Sequence, residues 1–243
     1  MTDRCTGLIW QRDTGNEGTR LSWSGALDYC EGLSLAEQDD WRLPNIRELQ
    51  SIVNYGTSGP ALDTMFFNAA GGQAPGSYWS STSIADVGQL GNAWYVDFSV
   101  GHVHGFGGKT PPGDGNRVRA VCGDTGLLLP ATGQNLCYDD ADGLISTACE
   151  EPPCPYGTFD CDDAPATCPG QDGFYAAGCP MDCRFVDNAD GTVTDTCTGL
   201  MWQQSTADTD GNQIVDNDDR VFWCEALAYC EDLDFGDDAC VIG

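Results

Sequence analysis

The chain has 243 residues, with 10 Lys and Arg against 38 Asp and Glu, a formal charge of −28 and a pI near 4.1. Such an acidic balance excludes a phosphate-binding surface, and with it nucleic acid as a partner. Hydrophobic residues at 41% and charged residues at 20% supply a core and exclude a wholly disordered chain.

Trp23, Ala26, Leu27, Cys30 and Leu33 recur at helical spacing behind Ser22, a good N-cap, which predicts an amphipathic helix. A second helix is predicted from Pro44, with Ile46, Leu49, Ile52 and Val53 on one face, ending at Tyr55-Gly56. The pattern then changes to aromatic and β-branched runs separated by Gly-rich turns. Residues 77–82, 93–98, 101–106 and 117–122 read as strands. Two helices followed by an antiparallel, loop-rich sheet is an α+β layout.

An internal repeat punctuates the chain. Thr2-Asp3-Arg4-Cys5-Thr6-Gly7-Leu8-Ile9-Trp10-Gln11 returns as Thr194-Asp195-Thr196-Cys197-Thr198-Gly199-Leu200-Met201-Trp202-Gln203, with eight identities in ten. Trp23, Ala26-Leu27, Tyr29-Cys30-Glu31 and Leu33 likewise return as Trp223, Ala226-Leu227, Tyr229-Cys230-Glu231 and Leu233. The first copy continues through Asp40-Trp41-Arg42-Leu43-Pro44-Asn45 and a further eighty residues, and the second does not. Three segments follow: a module at 1–123, a connector at 124–183 and a partial second module at 184–243.

The connector carries seven of the 14 cysteines among many Pro, Asp and Gly, with little apolar periodicity. A segment of that kind needs covalent staples, so it reads as disulfide-knitted. The cysteine spacings do not make a paired C-x-x-C zinc pattern, which leaves disulfides as the better reading. Repeat symmetry favours Cys5–Cys30 and Cys197–Cys230, and elimination leaves Cys224–Cys240, although spacing alone does not decide connectivity. Disulfides imply an extracellular, cell-surface or periplasmic setting. No export signal and no membrane-spanning run stand in the sequence as written, so membrane insertion is not expected, and Met1 is expected to be an internal or misplaced start, the natural polypeptide being longer.

Six ordered motifs carry a resemblance: Cys5-Thr6-Gly7-Leu8-Ile9-Trp10-Gln11, the helix ending Ala26-Leu27-Asp28-Tyr29-Cys30, residues 40–49, Tyr78-Trp79-Ser80-Ser81-Thr82, Ala93-Trp94-Tyr95-Val96-Asp97-Phe98 and Arg117-Val118-Arg119-Ala120-Val121. Together they resemble the Lcl C-terminal domain, a bacterial domain of unknown function, over residues 2–122 and in part over 184–243. That resemblance implies a C-type-lectin-like fold, related to the formylglycine-generating enzymes and to variable proteins of diversity-generating retroelements. It also implies kinship with surface adhesins that bind sulfated polysaccharides. The family's opening run of the Asp-Asn-Gly-Asp-Gly-Thr-Val kind stands before the second copy, at 187–193, and is absent before the first.

Three groups of residues are candidates for chemistry. In the second copy, Gln203 to Trp223 spans 20 residues where Gln11 to Trp23 spans 12, and the insertion is Asp-rich. Counting Asp208 as position 1 puts Asp210, Asn212, Ile214, Asp216 and Asp219 at 3, 5, 7, 9 and 12, the positions from which a calcium loop draws oxygen. Gln213 in place of Gly at position 6 and Asp in place of Glu at 12 depart from the pattern, so a structural calcium ion and a solvated acidic loop both stay open. His102 and His104, two apart on a strand, share a face. Tyr95 and Asp97 are expected on the face opposite Trp94, Val96 and Phe98, exposed for ligand contact, and the resemblance to the lectin-like fold implies a binding face built from the 83–91 and 105–116 loops and the strands between. Arg42, Arg47, Arg117 and Arg119 could meet an anionic polysaccharide, but pairing of Arg42 or Arg47 with Glu48 or Asp40 is the stronger reading.

No Ser-His-Asp pattern, phosphate loop or paired catalytic carboxylates appear, so the chain is not read as an enzyme. The expectation is a secreted or surface adhesion protein recognising a glycan or protein ligand through a lectin-like sheet face. The competing expectation is a spacer in a tandem-repeat assembly, stabilised by disulfides and calcium, whose partners are neighbouring repeats or further copies of itself.

Overall fold

The structure is a computed structural model. It describes residues 1–67, 76–86, 88–109, 115–123, 129–134, 136–138, 158–160, 170–181, 184–209, 211–212 and 214–233. The chain divides into two compact units, Met1–Met181 and Asp182–Gly243. Mixed helices and antiparallel strands make the class α+β, as the sequence pattern predicts. Among the described residues no helix is long and apolar enough to cross a membrane.

In the first unit, β1 (Ile9–Trp10) pairs antiparallel with β5 (Val121–Cys122), so the start of the module closes against its end. Helix α1 (Trp23–Glu31) begins where Ser22 accepts from the Gly25 amide at 3.2 Å, and its apolar stripe of Trp23, Ala26, Leu27 and Cys30 is buried. Helix α2 (Ile46–Ser51) is shorter than its periodicity predicts. Asn45 is the cap: its side chain accepts from the Glu48 amide while Glu48 accepts from the Asn45 amide, both at 2.9 Å, which leaves Pro44 outside the helix.

Strands β2 (Ser77–Ser83), β3 (Asn92–Asp97) and β4 (His102–Gly108) form an antiparallel sheet in that order. Both faces are packed. Tyr78, Val96 and Phe98 join Leu8, Trp10, Leu49 and Val121 on one side; Trp79 and Ala93 join Trp23, Leu27, Trp41 and Val118 on the other. The strand predicted over 117–122 is divided: Arg117 bridges Tyr78, and only Val121–Cys122 form a ladder with β1. Trp94, expected in the core with Val96 and Phe98, is only half-buried. The register runs Ala93↔Gly107 and then Tyr95↔His104, so β4 carries one extra residue opposite Trp94, and this bulge breaks the alternation.

The described parts of 124–181 belong to the first unit. Strands β6 (Leu136–Tyr138) and β7 (Thr158–Asp160) pair with each other, and α3 (Asp172–Tyr175) follows. Gln134 clasps the end of β2 at two points, accepting from the Ser83 amide at 3.0 Å and donating to its carbonyl at 2.7 Å.

In the second unit β8 (Phe185–Asp187), β9 (Thr192–Asp195) and β10 (Met201–Gln203) form an antiparallel sheet in the order β10-β9-β8, and α4 (Trp223–Asp232) follows. The repeated string makes the same turn in both units. Asp3 donates its amide to Leu8 and accepts from Gly7; Asp195 does the same with Leu200 and Gly199, at 2.8–2.9 Å throughout. Gly7 and Gly199 take φ of 80° and 73°, which favours glycine at both. Arg184 is added in the second unit: its Nε donates to Asp195 at 2.8 Å, and that hydrogen bond holds the carboxyl well below the ordinary carboxylate range.

The expected disulfides are not formed. Cys5, Cys30, Cys122, Cys224 and Cys230 are free thiols, so Cys5–Cys30, Cys197–Cys230 and Cys224–Cys240 are all corrected. Cys30 lies on the inward stripe of α1 while Cys5 is exposed in a surface turn. Cys197 takes part in a disulfide, as Cys179 separately does, which removes Cys197 as a partner for the free thiol of Cys230, and Cys240 lies outside the described residues.

Candidate functional site

The β3–β4 ladder brings the four sequence-predicted ligand residues together. Tyr95 faces His104 and Asp97 faces His102 across the strands. The Tyr95 ring stacks on the His104 imidazole, with centroids 5.0 Å apart and planes 20° from parallel. Trp79 meets Tyr95 edge-on at 6.2 Å, and His102 meets His104 at 5.7 Å. The result is a row of four rings that starts in the core at Trp79 and ends at the exposed His102. Gly107 makes this row fit: a Cβ there would run into the Trp79 indole and come within 3.0 Å of Tyr95.

Asp97 closes the turn between the strands. Its Oδ1 accepts from the Ser99 amide and its carbonyl from the Gly101 amide, both at 2.8 Å. Phe106, carried by the bulged part of β4, is exposed. Expected exposure of Tyr95 is corrected to half-burial, because the ring lies between Trp79 and His104. The arrangement offers a flat aromatic surface beside imidazole and carboxylate groups, which suits contact with a polar ring or a peptide. Among the described residues no group of three or more His, Cys, Asp and Glu side chains is arranged to hold a metal ion.

A second constellation escapes the sequence reading. A cleft of about 290 Å³ is lined by Asp40, Arg42, Gly123, Tyr175 and Ala177. Arg42 donates to both Glu48 oxygens, at 2.8 and 2.7 Å, and to the Gly123 carbonyl at 2.9 Å. Burial works to lower the Arg42 pKa, but the Glu48 hydrogen bonds and charge outweigh it and raise it. The guanidinium also sits 5.3 Å from the Tyr175 ring centre, and the Tyr175 hydroxyl donates to Glu31 at 2.9 Å. Burial and that contact with Glu31 push the Tyr175 phenol upward.

The Cys122 thiol donates to Asp40 at 2.9 Å, and burial, with Asp40 beside it, pushes its pKa up to about 11. Burial likewise raises Cys30 well above the ordinary thiol value. Both sulfurs are therefore protonated at neutral pH and poor nucleophiles. Asp172, at the start of α3, accepts from Thr82 and Thr132 hydroxyls, each at 2.7 Å, and burial raises its pKa to about 6. These groups brace α3 against the module. The Asp40-Trp41-Arg42 motif marks half of the constellation in sequence, but nothing local marks Tyr175, 133 residues away from Arg42.

Arg42 and Arg119 are buried, Arg119 donating to the Gln11 and Arg12 carbonyls at 2.8 and 2.6 Å. They cannot belong to an exposed anion-binding cluster.

In the acidic loop the carboxylates serve the backbone. Asp208 accepts from the Gly211 amide, Asn212 from Ile214, Asp216 from Asp218, and Asp219 from both Thr209 and Asp216, all at 2.7–2.8 Å. Asp210 lies outside the described residues.

No curated protein matches the sequence. The profile of the Lcl C-terminal domain matches residues 1–122, from the first bridge of the module to the end of β5. Apart from Gly123, Tyr175 and Ala177, the residues that build the Tyr95–His104 face and the Arg42 cleft fall inside that match, and the chain belongs to the Lcl C-terminal domain family.

Proposed function

We propose that this is an exported bacterial binding protein whose C-type-lectin-like module, residues 1–123, recognises a glycan or a surface protein through Tyr95, Asp97, His102 and His104. The observation that carries the reading is the Tyr95–His104 stack, which opens outward at His102 beside Asp97. A ring platform flanked by polar groups is the usual chemistry of a sugar or peptide contact. The spacer alternative requires this face to be covered, and the exposure of His102 and Phe106 favours binding. Export accords with 14 cysteines and disulfide bonding at Cys179 and Cys197. Protonated thiols at Cys30 and Cys122 support a binding role rather than a catalytic one.

Within this reading residues 124–183 are a disulfide-rich connector and residues 184–243 a partial second copy of the module, supported by the shared turn and by the hydrogen bond Gln203–Tyr229, 3.1 Å, which repeats Gln11–Tyr29, 2.9 Å. A structural calcium ion at Asp208, Asp210, Asn212, Ile214, Asp216 and Asp219 is supported by spacing alone. The described residues fit it only in part, since their carboxylates already cap loop amides. A glycan array probed with the full chain, with calcium and with chelator, tests the reading. Binding irrespective of calcium is expected; no binding to any glycan, together with no capture of a surface protein, would reject it.

A further inference from the structure

The β3–β4 face carries polar atoms that the chain itself does not use. Tyr29, Tyr78 and Tyr175 have their hydroxyls hydrogen-bonded to Gln11, Thr14 and Glu31. Among the described residues the Tyr95 hydroxyl, the ring nitrogens of His102 and His104 and the Oδ2 of Asp97 have no such partner. Asp97 is nevertheless fixed, because its Oδ1 accepts from the Ser99 amide at 2.8 Å. These groups share one face of the ladder, where Tyr95 pairs with His104 and Asp97 with His102.

The cations of residues 39–123 are all placed elsewhere. Arg42 is paired with Glu48, Arg119 donates to the Gln11 and Arg12 carbonyls, and Lys109 is buried with its ammonium 4.3 Å from the Trp23 ring centre. Arg117 bridges Tyr78 on β2, with β3 between it and β4. Arg47 belongs to α2, whose Leu49 packs with Val96 on the opposite side of the sheet from Tyr95. A sulfate or uronate arriving at Asp97 therefore meets a fixed carboxylate within the field of a chain of charge −28, with no guanidinium fork to hold it. The sulfated polysaccharides bound by the adhesins that the sequence resembles find no receptor here.

We infer that the Tyr95–His104 face binds an uncharged hexose residue of a glycan and rejects sulfated and uronate polymers. This names the ligand class of the binding reading above and rests on that reading. Sugar hydroxyls donate to Asp97 Oδ2, and a neutral imidazole offers one donor and one acceptor to the rest. The rings supply apolar area for the C–H face of a pyranose. Tyr95 and Asp97, two apart on β3, stand about 7 Å from each other along the strand, the span of one pyranose with its hydroxyls. A single carboxylate among imidazole and phenol groups suits a neutral polyol better than a basic protein, which would need several carboxylates.

The test titrates the full chain with dextran, a β-glucan, a mannan and a galactan, each as the neutral polymer and as its sulfated derivative, and with polylysine, at about 0.05 M and about 0.5 M salt. At least one neutral polymer is expected to bind, with affinities at the two salt concentrations within about twofold of each other, and its sulfated form is expected not to bind at either. Asp97→Asn keeps the bond from the Ser99 amide through its side-chain oxygen, and is expected to weaken the neutral polymer about 10- to 100-fold. Tighter binding of a sulfated form, binding of polylysine without any neutral polymer, or undiminished binding by Asp97→Asn would each overturn the inference. Tyr95→Ala, shown to be folded by circular dichroism, separates the two levels. Binding of a sulfated polymer that is lost in Tyr95→Ala keeps the face as the site and overturns only its ligand class. Binding that survives Tyr95→Ala, or no binding of any polymer, rejects the face itself and the inference with it.

Discussion

Arg42 and Glu48 face each other through two hydrogen bonds, Nη1 to Oε2 at 2.8 Å and Nη2 to Oε1 at 2.7 Å, with both side chains buried. The pair ties the residue before Leu43-Pro44 to the first turn of α2. Glu48 at the same time caps the helix through the Asn45 amide. Removing one partner strands a buried charge, so Arg42→Met is expected to cost about 3–5 kcal/mol in urea unfolding. The double variant Arg42→Met, Glu48→Leu is expected to recover at least half of that loss. Equal stability of the two variants would show that the charge is not the cause.

Asp172 gives the first unit a pH dependence of definite sign. Its carboxyl moves from an ordinary 3.8 to about 6 because it is buried, so the folded state holds the proton more tightly than the unfolded one. Stability from this group is greatest below pH 3.8 and falls as pH rises to 6, by about 3 kcal/mol in all. Asp172→Asn keeps an acceptor for Thr82 and Thr132 and is expected to flatten this slope and exceed the wild type in stability above pH 6. Denaturation midpoints of both proteins between pH 4 and 7 check it; parallel curves would contradict it.

Thiol chemistry separates the five cysteines that are free among the described residues. Cys5, Cys224 and Cys230 are exposed and are expected to react with a disulfide reagent in the folded chain, whereas Cys30 and Cys122, buried and protonated, react only on unfolding. Alkylation followed by peptide mass mapping reads each site. A peptide linking Cys5 to Cys30 would restore the pairing that repeat symmetry suggests.

The two copies of one tryptophan are expected to differ in worth. Trp23 fills the space between α1 and the sheet and donates its indole N–H to the Ser80 carbonyl at 2.8 Å, so Trp23→Ala is expected to cost about 3–5 kcal/mol. Trp223 is exposed, and Trp223→Ala is expected to change stability by no more than about 0.5 kcal/mol. Thermal or urea unfolding of both variants decides; a large loss from Trp223→Ala would mean that this face is already covered.

Periodic features were legible in the sequence, and features of tertiary origin were not. The spacing of Trp23, Ala26, Leu27 and Cys30 located α1 and its buried stripe, and the same spacing already placed Cys30 inside, against pairing with the surface residue Cys5. The start of α2 was misread by two residues because Pro44 and Asn45 are both good initiators and the Glu48 side chain decides between them. Strict alternation placed Tyr95 and Asp97 correctly on the His104 and His102 face but placed Trp94 too deep. The bulge at Gly105-Phe106 opposite it shows in sequence only as glycines at 105 and 107. The brace of Tyr175 on Arg42 and Glu31 joins distant residues, and no window of local sequence holds it.

Binding through the Tyr95–His104 face is tested most directly by probing one glycan array with the wild-type chain and with Tyr95→Ala, after circular dichroism has shown that the variant is folded. The account expects the wild type to bind a restricted set of glycans and the variant to lose at least tenfold in affinity for that set. Undiminished binding by folded Tyr95→Ala would place recognition elsewhere and contradict it.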